Sequence, residues 1–329
     1  MKNYFVFLFS FVFTFQVFAN SSIKYNQELD GFAYPFDVKT FELSSQNRTL
    51  KMRYMDVGDT SSEKTIVLLH GKNFSGYYWE RVANYLLKNS YRVIIPDQIG
   101  FGKSSKPDYY QYSFGQLALN TKLLLDHLGI EKADIVGHSM GGMLATTFTV
   151  NYSKIVNKLI LINPIGLEYY GRYTEYKDIN FFYNNELNKT LDKARNYQKK
   201  NYYDGQWSDE YEKLLIPLKG MLAGDDWQRV AWNNALTYGP IFSENIVDRL
   251  SQIKNETVLI IGTRDKTGPG KGWLKEGETR QLGNFKQLGI DTQKLIKGST
   301  LIELDGLGHV PQFEDYDAFI KAFKQAISQ

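Results

Sequence analysis

Ser139 lies in "GHSMGG", with Gly137 two residues before it and Gly141 two after. A serine hydroxyl is a weak nucleophile until a base takes its proton, so this spacing becomes chemistry only if a histidine can reach it. The apolar run "ADIV" precedes the segment, and "MLATTFTV", with helical character, follows it. The serine therefore stands between a strand and a helix, on a turn so tight that Cβ atoms on either side would collide with backbone. A strand–turn–helix of this kind is a nucleophile elbow: it pushes Oγ out of the sheet's carboxyl edge and aims the next helix's first amides at a developing oxyanion. Acyl transfer at a carbonyl is the chemistry it suits.

The chain has four histidines, so the base can be sought by elimination. His138 adjoins Ser139, and its side chain must leave the backbone in another direction. His127 lies within a helical stretch, and His70 ends a strand in "LLHGKNF", where it shapes the following loop. His309 remains, in "LDGLGHVPQFE", on a glycine-flexed loop after the last strand. A protonated imidazole needs an orienting carboxylate. "VLIIGTRDKTGPG" delivers Asp265 at the end of a buried strand, and the order is Ser, Asp, His. A lone loop histidine or an acid just past a strand serves equally as a surface or turn residue; the elbow sets these two apart.

The elements that must hold these residues are legible as short apolar runs. "LKMRYMDVG" alternates like a half-buried strand, whereas "TIVLLHG", "YRVIIPD", "ADIVGHS", "KLILINP", "TVLIIG" and "TLIELDG" read as strands covered on both faces. Helical patterns separate them, as at 79–89 and at 113–128, the latter starting at a capping Ser113 and stopping at Gly129. Alternating strand and helix predicts an α/β fold with a doubly wound, mainly parallel sheet. Residues 20–48 show no clear period and are expected to form an N-terminal arm laid on the surface. The core is expected over 49–165 and 256–329, interrupted at 166–255 by a helical lid insertion rich in aromatics.

Composition narrows the classes. A net charge of +3 with lysines scattered among acids suggests neither a nucleic-acid groove nor a polybasic membrane patch. There is no cysteine, which excludes disulfides, thiolate catalysis and cysteine-ligated metal. No histidine–carboxylate cluster has metal-ligand spacing, so neither metal nor cofactor is expected. "MKNYFVFLFSFVFTFQVFAN" has the early lysine, apolar run and small residue of a secretory signal, with cleavage expected after Ala19. Residues 1–19 are thus read as a signal peptide and the protein as exported, periplasmic or secreted, with no stable membrane insertion afterwards. "GFGKSS" at 100–105 invites a phosphate-loop reading, but such a loop needs glycine where Asp97 stands.

In order, "HGKNFSGYYWE", "PDQIGFGKSSKP", "GHSMGG", "GTRDKTGPG" and "GLGHVPQFE" resemble the α/β-hydrolases, a group that includes esterases, proline iminopeptidases, carbon–carbon bond hydrolases, epoxide hydrolases and haloalkane dehalogenases. The resemblance spans residues 49 to 329 and implies a sheet of the α/β-hydrolase type. It assigns Ser139 as nucleophile, His309 as base and Asp265 as acid. It makes the Met140 amide one oxyanion donor and the Lys72 amide the second, with Asn73 the alternative. Each such donor contributes roughly 3 kcal/mol to the transition state. Epoxide hydrolases and dehalogenases use aspartate where Ser139 stands, which disfavours both, and "HGKNF" departs from the "HGGPG" usual in proline iminopeptidases.

The expected activity is a serine hydrolase cleaving an ester or amide-like carbonyl of a small, apolar or aromatic substrate. Carbon–carbon bond hydrolysis and proline-iminopeptidase-like activity are alternatives within enzymes; a non-catalytic ligand-binding protein on the same fold is the alternative outside them. Specificity is expected in the lid, where "LEYYGRYTEYKDINFFYNN" offers Tyr170, Tyr173 and Phe182 as pocket rings. The same rings could instead glue the lid to the core.

Overall fold

The computed structural model describes residues 23–328; the expected signal, residues 1–19, lies outside them. Eight strands form one sheet among these residues: β1 Val38–Ser45, β2 Arg48–Val57, β3 Thr65–Leu69, β4 Arg92–Pro96, β5 Ala133–His138, β6 Val156–Ile162, β7 Glu256–Gly262 and β8 Thr300–Leu304. Their spatial order is β1-β2-β4-β3-β5-β6-β7-β8. β2 runs antiparallel to both β1 and β4, and every other pair is parallel. Reversal of the strand order beside β3 leaves a crevice at the carboxyl ends, where open α/β sheets bind ligands.

Period-two side-chain alternation divides the core between the two faces of the sheet. Val67, Leu69, Ile135, Leu159 and Ile261 meet α2 (Phe114–His127), α3 (Met140–Asn151) and α12 (Phe285–Leu295). Ile66, Leu68, Val136, Ile160 and Val258 meet α1 (Glu80–Lys88) and α14 (Tyr316–Ser328). Because both faces are covered, these strands read as unbroken apolar runs rather than alternating ones. Helix boundaries follow local chemistry. The Ser113 hydroxyl accepts from the Gln116 amide at 2.9 Å to start α2, and Gly129, at φ +66°, takes the left-handed turn just beyond its end.

One correction concerns residues 20–48. Residues 38–45 are not a surface arm but β1, joined to β2 through Gln46 and Asn47, whose φ values of 53° and 59° suit a tight two-residue hairpin. The strand lies at the sheet edge and buries chiefly Leu43, opposite Leu50, so it carries almost no periodic signal. The residues before it are also tied in. The Tyr25 amide donates to Gly220 O at 3.0 Å, and Leu29 is only 1% exposed.

Between β6 and β7 the chain leaves the sheet and forms eight helices: α4 Tyr170–Tyr173, α5 Ile179–Leu187, α6 Leu191–Asn201, α7 Asp209–Lys213, α8 Ile216–Ala223, α9 Trp227–Leu236, α10 Tyr238–Ser243 and α11 Val247–Leu250. Side-chain oxygens of Asp178, Thr190 and Ser208 cap α5, α6 and α7. A one-turn helix, α13 (Pro311–Glu314), follows the His309 loop. No helix among the described residues is long and apolar enough to cross a membrane.

Candidate active site

Ser139 sits between β5 and α3 with φ 57° and ψ −121°, a conformation costly for a residue with a side chain. The flanking glycines are there for close approach. A Cβ on Gly137 would lie 2.3 Å from Gly141 O, and one on Gly141 would lie 2.3 Å from Leu69 O. The strain is held by the Ser139 amide bonding to Ile162 O and by its carbonyl accepting from Gly142 and Ile165.

His309 links the other two expected residues. Its Nδ1 lies 2.6 Å from Asp265 Oδ2 and its Nε2 lies 2.9 Å from Ser139 Oγ. A carboxylate only accepts, so Nδ1 carries the proton and Nε2 is free to accept from the serine hydroxyl. Asp265 has its remaining valences filled: Oδ1 accepts from the Thr267 amide at 2.7 Å and Oδ2 from Asn163 Nδ2 at 2.9 Å. Asn163, at φ 38°, is fixed in turn by accepting the Gly262 amide on Oδ1. Asp265 and His309 are each 1% exposed and Ser139 is 7% exposed. Such an arrangement can remove the serine proton at the moment of attack and stabilise the imidazolium that results.

His138, set aside in the sequence, braces this arrangement from behind. Its Nε2 lies 2.7 Å from His309 O, an acceptor, so Nε2 must be the protonated nitrogen. Its Nδ1 then accepts from Tyr78 Oη at 3.0 Å, and Tyr78 Oη accepts the Gly71 amide at 3.2 Å. One chain of hydrogen bonds thus connects the base's backbone, the elbow and the loop after β3. Burial, followed by the neighbouring His309, pushes the His138 imidazole down to about 3, so it stays neutral. His70 shapes the same loop. Its Nδ1 donates to Gly71 O at 2.9 Å, its Nε2 accepts the Gln98 amide, and burial lowers its pKa.

The "GFGKSS" segment is a structural turn folded around Asp97. That carboxylate accepts from the Gly76 amide, the Lys103 amide and Tyr34 Oη. A Cβ at Gly102 would lie 2.1 Å from Asp97 Oδ2, which explains glycine there without any phosphate.

Ser139 opens into a cavity of about 510 Å³ between the core loops and the lid. Lys72 and Asn73 share its wall with the serine, and α3 begins at Met140. Among the described residues, the amides of Met140, Lys72 and Asn73 donate to no protein acceptor. Tyr202, missed in the sequence, covers the site from the lid. Its ring centroid is 4.7 Å from that of His309, and its hydroxyl accepts from Asn73 Nδ2 at 2.8 Å. No group of three or more His, Cys, Asp or Glu placed to hold a metal occurs among the described residues.

The pocket assignment of Tyr170, Tyr173 and Phe182 is corrected: none of the three lines the cavity. Tyr170 is turned into the core, where its hydroxyl accepts the Gly166 amide at 3.0 Å. Tyr173 packs on the outer side beneath the Arg280 guanidinium, 4.9 Å from its ring centroid. Phe182 stands one layer back, stacked at 4.7 Å on Tyr238 and at 5.6 Å on Phe242. Tyr238 and Phe242 are themselves wall residues, along with Tyr197, Tyr202 and Trp273. The earlier rings fasten the lid, and later segments furnish the cavity.

Comparison with known proteins places these features in a wider group. A sequence profile of the alpha/beta hydrolase fold matches residues 64–316. The 2-hydroxy-6-oxononadienedioate/2-hydroxy-6-oxononatrienedioate hydrolase of Escherichia coli O81 (strain ED1a) is 28% identical over 281 residues, covering 83% of this chain and 89% of that protein. A probable hydrolytic enzyme from Pseudomonas aeruginosa PAO1, known from its crystal structure, superposes with a TM-score of 0.90 at 40% identity, over 93% of this chain and 99% of the other. An esterase from Exiguobacterium antarcticum shares the fold, with a TM-score of 0.67 at 20% identity over 85% of this chain and 97% of its own.

Proposed function

The chain belongs to the α/β-hydrolase family, and from that premise we propose that it is a serine hydrolase that cleaves an ester of a small substrate through Ser139, His309 and Asp265. The observation that carries this is the His309 imidazole held between Ser139 Oγ at 2.9 Å and Asp265 Oδ2 at 2.6 Å. In the first half-reaction Oγ attacks the carbonyl carbon while Nε2 takes its proton. The oxyanion accepts from the Met140 and Lys72 amides, which are unengaged by protein. Collapse breaks the bond to the leaving alcohol, which receives the proton from Nε2, and leaves an acyl-serine. Water repeats the sequence: His309 takes its proton, the acid is released, and Oγ regains its hydrogen.

Ser139→Ala should fold normally and lose both ester hydrolysis and labelling by a fluorophosphonate, which needs an activated serine. Retention of more than a trace of either would exclude Ser139 as nucleophile. A second reaction, carbon–carbon bond hydrolysis, is supported by the likeness to the 2-hydroxy-6-oxononadienedioate/2-hydroxy-6-oxononatrienedioate hydrolase. There the leaving atom is a carbon that must be protonated, and turnover of a vinylogous diketone, followed by loss of its absorbance, would favour it over esters. Export is part of the same proposal. Fractionation of cells expressing the chain with and without residues 1–19 tests it, and a cytoplasmic pool for both forms would overturn it.

A further inference from the structure

Charge is distributed one-sidedly around the cavity. Every charged residue lining it is a lysine (72, 106, 189, 193, 266 and 271), and no aspartate or glutamate does so among the described residues. Four of these lysines have local partners: the Lys106 ammonium is held by the carbonyls of Gly102 and Ser104, Lys193 donates to Asn188 O, Lys271 donates to Lys266 O, and Lys189 pairs with Glu186. Lys72 is different. It follows Gly71, where an added Cβ would lie 3.1 Å from Ser139 Cβ, and its side chain reaches across to the lid.

At the lid, Lys72 Nζ donates to Asn234 O and to Thr237 Oγ1, both at 2.6 Å, and lies 4.0 Å from the centroid of the Tyr238 ring. An ammonium has three N–H groups, and these two bonds leave one without a protein oxygen acceptor. Its nearest carboxylate influence is Glu186, which is hydrogen-bonded instead to Lys189 Nζ, Tyr238 Oη and Asn234 Nδ2. Two amine nitrogens therefore share one buried carboxylate, so Lys72 has no counter-ion of its own. A charge enclosed without its own counter-ion is unfavourable unless something supplies one. Burial pulls the Lys72 pKa down to about 7 against the opposing pull of Glu186, so a carboxylate bound beside it would hold the ammonium charged near neutral pH.

Resting on the serine-hydrolase reading, we propose that the cavity selects an anionic substrate, a carbonyl compound whose acyl chain ends in a carboxylate that pairs with Lys72. A carboxylate placed beside Lys72 would supply the counter-ion that Glu186, engaged with Lys189, does not. The rings of Tyr197, Tyr202, Tyr238, Phe242 and Trp273 provide the apolar wall for the chain between that carboxylate and the carbonyl. The Lys72 backbone amide and its side chain would then act at opposite ends of the same acyl group.

Two esters of equal length separate charge from size: p-nitrophenyl valerate ends in a methyl group and mono-p-nitrophenyl glutarate in a carboxylate. The expected wild-type result is a kcat/KM at least ten-fold higher for the glutarate ester. Lys72→Met should abolish that ratio and Lys72→Arg should keep most of it. A wild-type preference for the valerate ester, or an equal loss on both esters in Lys72→Met, would overturn the proposal. Calorimetry on Ser139→Ala needs no turnover and no folding of a Lys72 variant. Glutarate should bind at least ten-fold more tightly than the neutral glutaramide; equal binding of the two, or binding of neither, counts against the anion site. Glutarate binding without turnover of either ester would retain the anion site and reject the esterase reading.

Discussion

Replacing Tyr78 with phenylalanine removes a single oxygen and tests whether the brace behind the site matters. The ring is stacked against Phe74 at 5.0 Å and Phe313 at 6.2 Å, so phenylalanine keeps the packing and only hydrogen bonds are lost. Two buried groups are left unpaired, the Gly71 N–H and His138 Nδ1. An unsatisfied buried donor or acceptor costs about 1–3 kcal/mol, so the pair should destabilise the protein by at least about 2 kcal/mol. For a chain of this size that lowers Tm by about 3 °C or more. Gly71 adjoins the Lys72 amide, and outright loss of an oxyanion donor costs about 100- to 1000-fold in kcat. Loosening the loop rather than deleting the donor should cost about ten-fold, falling on kcat with KM nearly unchanged, because the donor engages most strongly in the transition state. Urea unfolding and steady-state hydrolysis of p-nitrophenyl butyrate measure both quantities. A Tyr78→Phe protein within about 0.5 kcal/mol of wild type, with unchanged kcat, would refute the bracing role.

Gly141→Ala should destabilise by about 3 kcal/mol or more, since its Cβ would sit 2.3 Å from Leu69 O and 2.7 Å from His70 O, backbone atoms that cannot swing aside; normal soluble expression and an unchanged urea midpoint would contradict the elbow geometry. Tyr170→Ala and Phe182→Ala, as core truncations, should each cost about 3–5 kcal/mol and depress all acyl chain lengths alike. Tyr238→Ala and Phe242→Ala should instead shift chain-length preference about ten-fold or more, and an ester panel giving the reverse pattern would invert the wall assignment. His138 is held down to about 3 when folded, against an ordinary histidine value near 6.5. Between those values unfolding takes up a proton, so native stability falls as pH drops below about 6.5, at up to about 1.4 kcal/mol per pH unit. His138→Gln should lack that component, and urea titrations at pH 5, 6 and 7.5 with parallel slopes for the two proteins would count against a buried neutral imidazole.

What could be read along the chain was whatever rests on neighbours in sequence. Apolar runs marked the strands from β2 to β8, because a strand buried on both faces must be apolar throughout. The elbow was legible because its glycines are demanded by a turn a few residues long, and Asp265 and His309 because they end or follow strands whose order was already clear. The same locality explains the failures. β1 buries one strong hydrophobe at a sheet edge, too little for a pattern. His138 looked like an incidental neighbour of Ser139, since its partners Tyr78 and His309 lie 60 and 171 residues away. Asn163 orients an aspartate 102 residues further on. The lid rings show the limit best. Tyr170 and Phe182 are indistinguishable by type from Tyr238 and Phe242, yet the first pair packs inward and the second faces the cavity. Hydrophobic burial is non-directional and rewards any apolar contact; which ring meets the core and which meets substrate is decided only when the helices close on the sheet.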